Sequence, residues 1–172
     1  MKLRSKIRSH RATQAGFSLL ELTIAVSILA VGILAGMGVI CAATASNGSS
    51  KIHTAAAIVA QSTMETILAA GPASITSITD CAGTSFPMNT APAGALAGGV
   101  TPTIDFTQTP IANYSMPYVT CAGLNFDVRW RIDAGPTPST QLVTVSVKSL
   151  RTAANPAAAL IRKFTLRTLR GN

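Results

Sequence analysis

The sequence predicts an α+β protein in which one long N-terminal helix packs on a small antiparallel β-sheet. A charge-free apolar run, Leu22 to Ser50, leads into residues whose apolar side chains recur every three to four positions, which is typical of a helix. Further on, "LNFDVRWRID" (124–133) alternates apolar and polar residues without a break, which indicates a strand. A chain of 172 residues has room for one globular domain after such a helix.

The helix is predicted over residues 17–70, with a transmembrane half at residues 17–45. Its "SNGSS" stretch (46–50) contains poor helix formers, so we expect the helix to loosen there. Gly71 and Pro72 then supply a helix stop. Residues 46–71 are amphipathic, and a stripe at 3.6-residue spacing is expected to face the sheet: Ile52, Ala56, Val59, Thr63 and Ile67.

Three strands are predicted in the C-terminal third of a globular region that covers residues 72–172. The strand at 124–133 places an apolar face toward the core and a polar face, including Asp127, Arg129 and Arg131, toward solvent. The other strands are "QLVTVSVKSL" (141–150) and "LIRKFTLRTL" (160–169). Their expected inward residues are Val143, Val145, Val147, Phe164 and Leu166.

Residues 72–123 are rich in small and polar residues and show weak periodicity. Short extended pieces are predicted at 103–107 and 114–120. The stretch "NTAPAGALAGG" (89–99) has the composition of a flexible loop.

The charge of the chain is concentrated at its N-terminus. Five of the fourteen basic residues precede Gly16, and without residues 1–16 nine basic residues would face six acidic ones. The basic leader is followed by Leu22–Ala45, about 36 Å as a helix and long enough to span a bilayer. The next charge is Lys51, so the positive-inside bias places the N-terminus in the cytoplasm and the later residues outside.

The three cysteines fit this topology. Cys41 lies in the apolar segment, whereas Cys81 and Cys121 lie in the exported part, where an oxidising compartment permits a disulfide. Such a bridge closes a loop of about 40 residues and contributes roughly 4 kcal/mol in the chain-entropy model. The alternative is a pair of free buried thiols.

The junction Gly16-Phe17 lies before the apolar run, whereas an ordinary secretory signal is cleaved after it. The sequence "GFSLLEL" (16–22) and the apolar run after it resemble the N-terminal signature of type IV prepilins and type II secretion pseudopilins. The resemblance implies that a membrane-embedded prepilin peptidase cleaves after Gly16 and N-methylates Phe17. It also places Glu21 at the acid position of that family.

A carboxylate in an apolar segment is costly unless it is paired. The resemblance gives Glu21 a partner, because the N-terminal amine of a neighbouring subunit can approach it in a filament and fix the stagger between subunits. The alternative is an acid held by the helix dipole at headgroup level. Gly32 and Gly36 form a G-x-x-x-G pair that permits close helix packing, although small residues are common in such segments anyway.

Softer features resemble V-type minor pilins and I-type pseudopilins, which prime assembly and lie near the filament tip. These features are "AVSILAVGILAGM" (25–37), a strand with Trp130, and a turn into "VTVSV" (143–147). The cysteine pair does not bracket the C-terminal segment as it does in many major pilins. Residues 134–172 contain no acid, so the calcium loop of major pseudopilins is absent and neither a metal nor a cofactor is expected.

The resemblance implies a bacterial inner-membrane protein, single-pass, with a periplasmic domain that later joins a pilus or pseudopilus. Its implied partners are the prepilin peptidase, other pilins or pseudopilins, and the inner-membrane assembly platform. We do not expect an enzyme, because His53 and Glu65 are about 18 Å apart along a helix and no catalytic motif is present.

Two other classes of function stay open. A DNA-binding or adhesive tip pilin is one, because the C-terminus is basic and strand alternation places Lys163 and Arg167 on one face. The same alternation places Arg162 on the other face and splits the basic patch, so the alternative is a solvated sheet face. Arg170, Lys148 and Arg151 add to this basic bias. The other is a plain single-pass anchor that holds a periplasmic binding domain.

Overall fold

The computed structural model describes residues 18–95, 97–98, 103–150 and 163–171. It confirms an α+β, pilin-like fold with one long helix, α1, over Leu19–Ala69. The strands are β1 (Ile75–Thr79), β2 (Ser85–Asn89), β3 (Ala97–Gly98), β4 (Thr103–Ile104), β5 (Ser115–Val119), β6 (Asn125–Ala134), β7 (Thr140–Ser149) and β8 (Phe164–Gly171).

The chain divides into two compact units, Met1–Ala45 and Ser46–Asn172, and α1 contributes to both. In the first unit, the described helix exposes every side chain, most of them large and apolar. The helix is assigned without interruption through residues 46–50, so the expected loosening is wrong. The hydroxyl of Ser50 donates to the Ser46 carbonyl at 3.1 Å, which satisfies this polar side chain within the helix.

In the second unit, the C-terminal part of α1 buries the predicted stripe against the core. The main sheet is antiparallel with strand order β5-β6-β7-β8, and two small two-stranded sheets pair β1 with β2 and β3 with β4. Phe126, Val128 and Trp130 on β6 are fully buried in the same core cluster as the helix stripe. The core therefore lies between the helix and one face of the sheet, as predicted.

The opposite face of the sheet, here called the outer face, is not open to solvent at its centre. Arg129 on β6 is only 4% exposed, and Thr144 and Ser146 on β7 are also buried. The Nη1 group of Arg129 donates to the carbonyls of Asp105 and Gln108 at 3.2 and 2.8 Å. The expected wet face is wrong at its centre, because the chain between β4 and β5 covers Arg129, whereas Arg131 and Asp133 on the same face stay about one-third exposed.

The predicted flexible loop at 89–99 is also wrong for its described residues. The amide of Ile132 donates to the Ala93 carbonyl at 2.8 Å, and the amide of Ala95 donates to the Trp130 carbonyl at 3.0 Å. This stretch therefore pairs with the second half of β6, beyond the part that β5 covers. Gly94 is required there, because its φ is 122° and a Cβ would lie 2.5 Å from the Trp130 carbonyl oxygen.

Two β-hairpins of the second unit repeat each other at an offset of 40 residues. The pairs Thr79–Ser85 in β1–β2 and Val119–Asn125 in β5–β6 occupy equivalent positions, and both turns contain the sequence Cys-Ala-Gly. Gly83 and Gly123 have φ values of 81° and 71° and close the two turns in the same way. The globular unit thus contains the same hairpin design twice.

Candidate functional site

The predicted processing residues, Gly16 and Phe17, lie outside the described residues. The description begins at Ser18, whose carbonyl accepts a hydrogen bond from the Leu22 amide at 3.1 Å. The Ser18 hydroxyl accepts a second one from the Leu20 amide at 3.2 Å. Ser18 is therefore the N-cap of α1.

Glu21 lies in the first turn of α1 and is exposed. Among the described residues, none donates a hydrogen bond to its carboxylate or forms an ion pair with it. The carboxylate is therefore available to a cation from outside the described chain. Glu21 also lies at the N-terminus of the helix, where the positive end of the helix dipole stabilises a negative charge.

Gly32 and Gly36 lie on the same exposed helix. A Cβ built at either glycine meets no atom within 4 Å, so no other part of the described chain packs against these two glycines. Within the described residues, α1 is the one helix that is long and apolar enough to cross a membrane. The contact of another helix with these glycines stays a prediction.

The predicted disulfide joins Cys81 to Cys121, and Cys41 is a free, exposed cysteine on α1. The bridge links equivalent positions in the turns of the two repeated hairpins. Asp80 adds polar links between them, because its carboxylate accepts a hydrogen bond from the Val119 amide at 3.3 Å. The Cys81 amide also donates to the Val119 carbonyl at 3.1 Å. The Trp130 indole N–H on β6 also donates to the Asn89 carbonyl on β2 at 2.9 Å, so the disulfide and several hydrogen bonds hold the two hairpins together.

An apolar groove of about 250 Å³ borders this disulfide. It lies between α1 and the hairpin turns, and its walls include Ile58, Tyr118 and Ala122. Ile58 is 62% exposed although it is large and apolar. The groove forms part of the surface of the second unit.

The predicted basic surface is only partly assembled. Lys163 and Arg167 both project from the outer face next to the edge of the sheet. The ammonium group of Lys163 donates to Thr103 Oγ1 at 3.2 Å and to the Ile104 carbonyl at 3.4 Å, so it also tethers β4 to the start of β8. Arg151 lies outside the described residues.

Arg170 does not belong to this basic surface, and its inclusion there is wrong. It is only 8% exposed, because strand alternation turns it toward the core side of the sheet. Its Nη1 group donates to the carbonyls of Ile67 and Gly71 at 3.2 and 3.0 Å, at the end of α1. Its Nε and Nη2 groups both donate to Gln141 Oε1, at 2.9 and 2.7 Å.

Burial lowers the pKa of the Arg170 guanidinium, but an arginine stays charged at any physiological pH. Among the described residues, none of the carboxylates forms an ion pair with it. Carbonyl and amide oxygens satisfy the buried cation instead. The residue thus stabilises the fold by joining β8 to the helix end.

The basic surface continues to a cavity where β7 and the residue before β8 meet the chain that covers the outer face. Lys148, Lys163 and Asp105 line one cavity of about 300 Å³ with Phe106 and Thr107. Hydrogen bonds from the Thr107 amide and hydroxyl hold the pKa of Asp105 below its ordinary value. No group of three metal-ligating side chains occurs among the described residues.

Sequence reasoning missed three of these features. The Ser18 cap was readable as a serine directly before the apolar helix, three residues ahead of an acid. The hairpin repeat was readable as two Cys-Ala-Gly triplets 40 residues apart. The role of Arg170 had only a weak signal, namely the in-out alternation of the last strand.

Comparison with known proteins gives one match. The model of the prokaryotic N-terminal methylation motif matches residues 11–37. The chain therefore carries the N-terminal signature of type IV prepilins and pseudopilins, and the match supports its membership of that family. No curated protein and no solved structure matches the chain significantly.

The family match has a direct implication for this chain. Proteins with this motif are processed by the prepilin peptidase and assemble with other pilins. Among the described residues, the one helix that could cross a membrane begins inside the motif, at Leu19, which fits a membrane-anchored pilin.

Proposed function

We propose that this protein is a minor pilin-like structural subunit that primes or joins a type IV pilus or a type II secretion pseudopilus. The observation that carries the proposal is the methylation motif at residues 11–37, which leads directly into the exposed apolar part of α1. That surface has no partner within the described chain. A membrane first, and then the helices of other subunits, supplies one.

The processing step follows from the same motif. The prepilin peptidase cleaves after Gly16 and methylates the new N-terminus at Phe17. The peptidase thus leaves the membrane helix on the mature protein. Cleavage also creates an amine close to Glu21, in the surroundings where an unpaired charge is most costly.

Assembly uses the carboxylate of Glu21. Its carboxylate has no partner in the described chain, so it is free to bind the Phe17 amine of a neighbouring subunit. In the low-dielectric interior of a helix bundle, that pairing relieves two desolvated charges and defines the axial stagger. Gly32 and Gly36 allow the neighbouring helix to approach closely on the same segment.

The location of the protein follows the same sequence of events. The N-terminus begins in the bacterial cytoplasm, α1 crosses the inner membrane once, and the second unit folds in the periplasm, where Cys81 and Cys121 are oxidised. The inner-membrane assembly platform then draws the subunit into the filament. A minor rather than a major role is supported by what the chain lacks. Above all, residues 134–172 contain no acid, so the carboxylate-rich calcium loop of major pseudopilins is absent.

Mass spectrometry of the N-terminal peptide, taken from the protein in its native membrane, tests this proposal. We expect a peptide that begins with N-methylated Phe17. A chain that still carries Met1 to Gly16, in cells whose peptidase processes its other substrates, would instead identify a plain single-pass anchor. That result would also contradict the proposed pairing of Glu21 with the Phe17 amine of a neighbouring subunit.

DNA binding at the filament tip is a second candidate, and one observation favours it. Lys148 and Lys163 line the same cavity on the outer face, where Asp105 is the one acid in the lining, and Arg167 lies on that face. A strand of DNA would neutralise such a cluster. Reversal of Lys148 and Arg167 to glutamate, which leaves the Lys163 tether intact, is expected to abolish salt-sensitive DNA retention in a filter-binding assay.

A further inference from the structure

The two edges of the main sheet differ in what their backbone offers. On β5, the edge that faces away from β6 is closed, because Pro117 has no N–H there. The Val119 amide on the same edge donates to Asp80 Oδ2 at 3.3 Å, and the Val119 carbonyl accepts from the Cys81 amide at 3.1 Å. Strand β8 forms the opposite edge, contains no proline, and pairs only with β7 among the described residues. The sheet is thus protected against further pairing at one edge only.

The register of the sheet identifies which backbone groups of β8 are open. The Gly135 amide donates to the Thr140 carbonyl at 2.8 Å and continues the ladder between β6 and β7. Every second residue of β7, counted from Thr140, therefore bonds to β6, and the residues between them bond to β8. The same alternation directs the amides and carbonyls of Thr165 and Leu169 away from β7. None of the described residues pairs with these backbone groups, and the Leu169 side chain is 53% exposed.

The core side of the sheet is also incomplete along β8. Val145 and Val147 on β7 are fully buried, whereas their neighbours on β8, Leu166 and Phe164, are half-buried. Both β8 side chains pack against the core cluster but keep part of their surface open. A strand added beside β8 would place every second side chain next to them. Apolar side chains on that side would therefore extend the core.

The outer face of the same edge is basic. Lys163 and Arg167 are exposed there, and neither β7 nor β8 contains an acid. A second copy of β8, paired antiparallel, would bring these cations close to their counterparts, and like charges across a strand pair are destabilising. A strand with acidic side chains on that face would form opposite-charge pairs instead. The charge of this edge thus favours an acidic strand over a second copy of β8.

We propose that the open edge of β8 binds an extended segment of another protein by strand addition, and that acidic and apolar side chains alternate along this segment. The backbone of the segment pairs with the open amides and carbonyls of Thr165 and Leu169. Its acidic side chains face Lys163 and Arg167, and its apolar side chains lie on the core side. In strand addition the main-chain bonds supply affinity, and the alternating side chains supply specificity.

Calorimetric titration of the full-length protein in detergent with synthetic peptides tests this proposal. One peptide alternates valine with glutamate, and the matched peptide alternates valine with lysine. Leu169→Pro removes an outward N–H, as Pro117 does on β5, and leaves the bonds of the neighbouring residues to β7 in place. Leu169→Ala keeps the N–H and is the control. Amide hydrogen exchange along β8 reports whether a strand has been added.

We expect the glutamate peptide to bind about tenfold more tightly than the lysine peptide, because its charges oppose those of the edge. Leu169→Pro should weaken this binding about tenfold through the loss of a backbone hydrogen bond, and Leu169→Ala by less than about threefold. The amides of Thr165 and Leu169 should exchange more slowly in the complex. Arg167→Glu alters no backbone group and should abolish the preference for glutamate, which provides a second test if Leu169→Pro does not fold.

Several results would overturn the proposal. Absence of binding by the glutamate peptide, or equal binding of both peptides, would remove the role of the basic edge. A bound peptide that leaves exchange along β8 unchanged would lie elsewhere on the protein. Dimerisation that Leu169→Pro abolishes would make a second copy the occupant of the edge. Binding of a thymidine oligonucleotide, but not of the glutamate peptide, would assign the cations to DNA.

Discussion

The guanidinium of Arg170 donates a hydrogen bond to the backbone carbonyl of Ile67, at a distance of 3.2 Å. Helix α1 ends at Ala69, and Gly71 takes a φ of 71° with its amide directed at the Leu68 carbonyl. In the usual glycine-terminated helix ending, the residue after the glycine donates its amide to the carbonyl that Ile67 offers here. That residue is Pro72, which has no N–H. Arg170 supplies the missing donor from the other end of the globular unit.

Arg170→Gln is expected to destabilise the protein by about 3 kcal/mol, because several buried carbonyls lose their donor at once. The measurement is urea-induced unfolding of the full chain in detergent, followed by Trp130 fluorescence, since Trp130 is fully buried. Arg167→Gln on the exposed face of the same strand is the matched control and should change stability by less than about 0.5 kcal/mol. Equal effects of the two changes would contradict the role given to Arg170.

Pro72→Ala in the Arg170→Gln background is expected to recover part of that loss. Alanine provides the backbone N–H that proline lacks, so the chain itself can donate to the Ile67 carbonyl. The recovery should amount to about 1 kcal/mol, the net value of one hydrogen bond, and the same unfolding measurement reports it. In the wild-type background the change should give no such gain, because Arg170 already satisfies that carbonyl. A loss of stability on Pro72→Ala in both backgrounds would count against the compensation.

The two arginine–aspartate pairs of β6 differ in burial and offer a matched comparison. Arg129 pairs with Asp127 at 2.8 Å with side chains 5% and 17% exposed, whereas Arg131 pairs with Asp133 at 2.7 Å with side chains about one-third exposed. Arg129→Leu is expected to cost about 3 kcal/mol, since it leaves a largely buried carboxylate without its partner. Arg131→Leu should cost less than about 1 kcal/mol. Comparable losses of unfolding free energy would mean that the outer face is open after all.

Patterns that depend on one element alone were readable from the sequence. The 3.6-residue stripe of α1 and the alternation in β6 identified the core, because each period fixes which side chains share a face. Gly71 and Pro72 marked the end of the helix for the same local reason. The alternation could not reveal what covers the second face of the sheet, since that depends on where residues 103–111 lie in space. The side chain of Arg129 was therefore predicted to be exposed to solvent, whereas the structure buries it.

The same distinction, between signals local to one element and contacts between distant parts of the chain, applies to the candidate site. Ser18, Glu21 and the cysteines are close to local signals, and the sequence indicated the last two groups. Arg170 is different, because its partners Ile67 and Gly71 are about 100 residues away in the chain. A lone arginine near a C-terminus looks like a surface charge until the fold places a helix end beside it. Residues 93–95 were similarly assigned to a loop because small residues hide their pairing with β6.

Removal of the disulfide by Cys81→Ser together with Cys121→Ser is expected to cost about 4 kcal/mol, the chain-entropy value for a loop of this length. The hairpins should still meet, because Asp80 and Cys81 also form polar links to Val119 in the second hairpin. Thermal unfolding by circular dichroism should therefore show a lower midpoint with a single transition. Cys41→Ser is the control and should leave the midpoint unchanged, because Cys41 is free and exposed.

Asp80→Ala in the disulfide-free protein should then measure what the carboxylate of Asp80 contributes to stability when the disulfide is absent. We expect a further loss, because the carboxylate of Asp80 also accepts hydrogen bonds from the Ala82 and Thr84 amides at 3.0 and 2.8 Å. A loss of about 1 to 3 kcal/mol corresponds to a partly buried acceptor with several donors. No change in the midpoint would show that the hydrogen bonds of Asp80 do not stabilise the disulfide-free protein.

Glu21→Ala is expected to leave cleavage after Gly16 largely intact and to impair entry into the filament. The carboxylate has no partner within the described chain, so its removal costs the isolated subunit little, while a neighbouring Phe17 amine would be left unpaired in an apolar bundle. Glu21→Gln removes the charge but keeps the shape of the side chain, and it should impair entry into the filament in the same way. The measurement counts filaments by electron microscopy and the incorporated subunit by immunoblotting of sheared filaments.

Glu65→Ala supplies the matched control for this prediction. Glu65 lies on the same helix, is exposed, and accepts a hydrogen bond only four residues away, from Gln61 Nε2 at 3.0 Å. Its loss should leave both cleavage and incorporation unchanged. If Glu21→Gln incorporates as well as wild type, the charge pairing is not what aligns the subunits. The carboxylate would then act only at its own helix N-terminus, where its interaction with the dipole is worth less than about 1 kcal/mol.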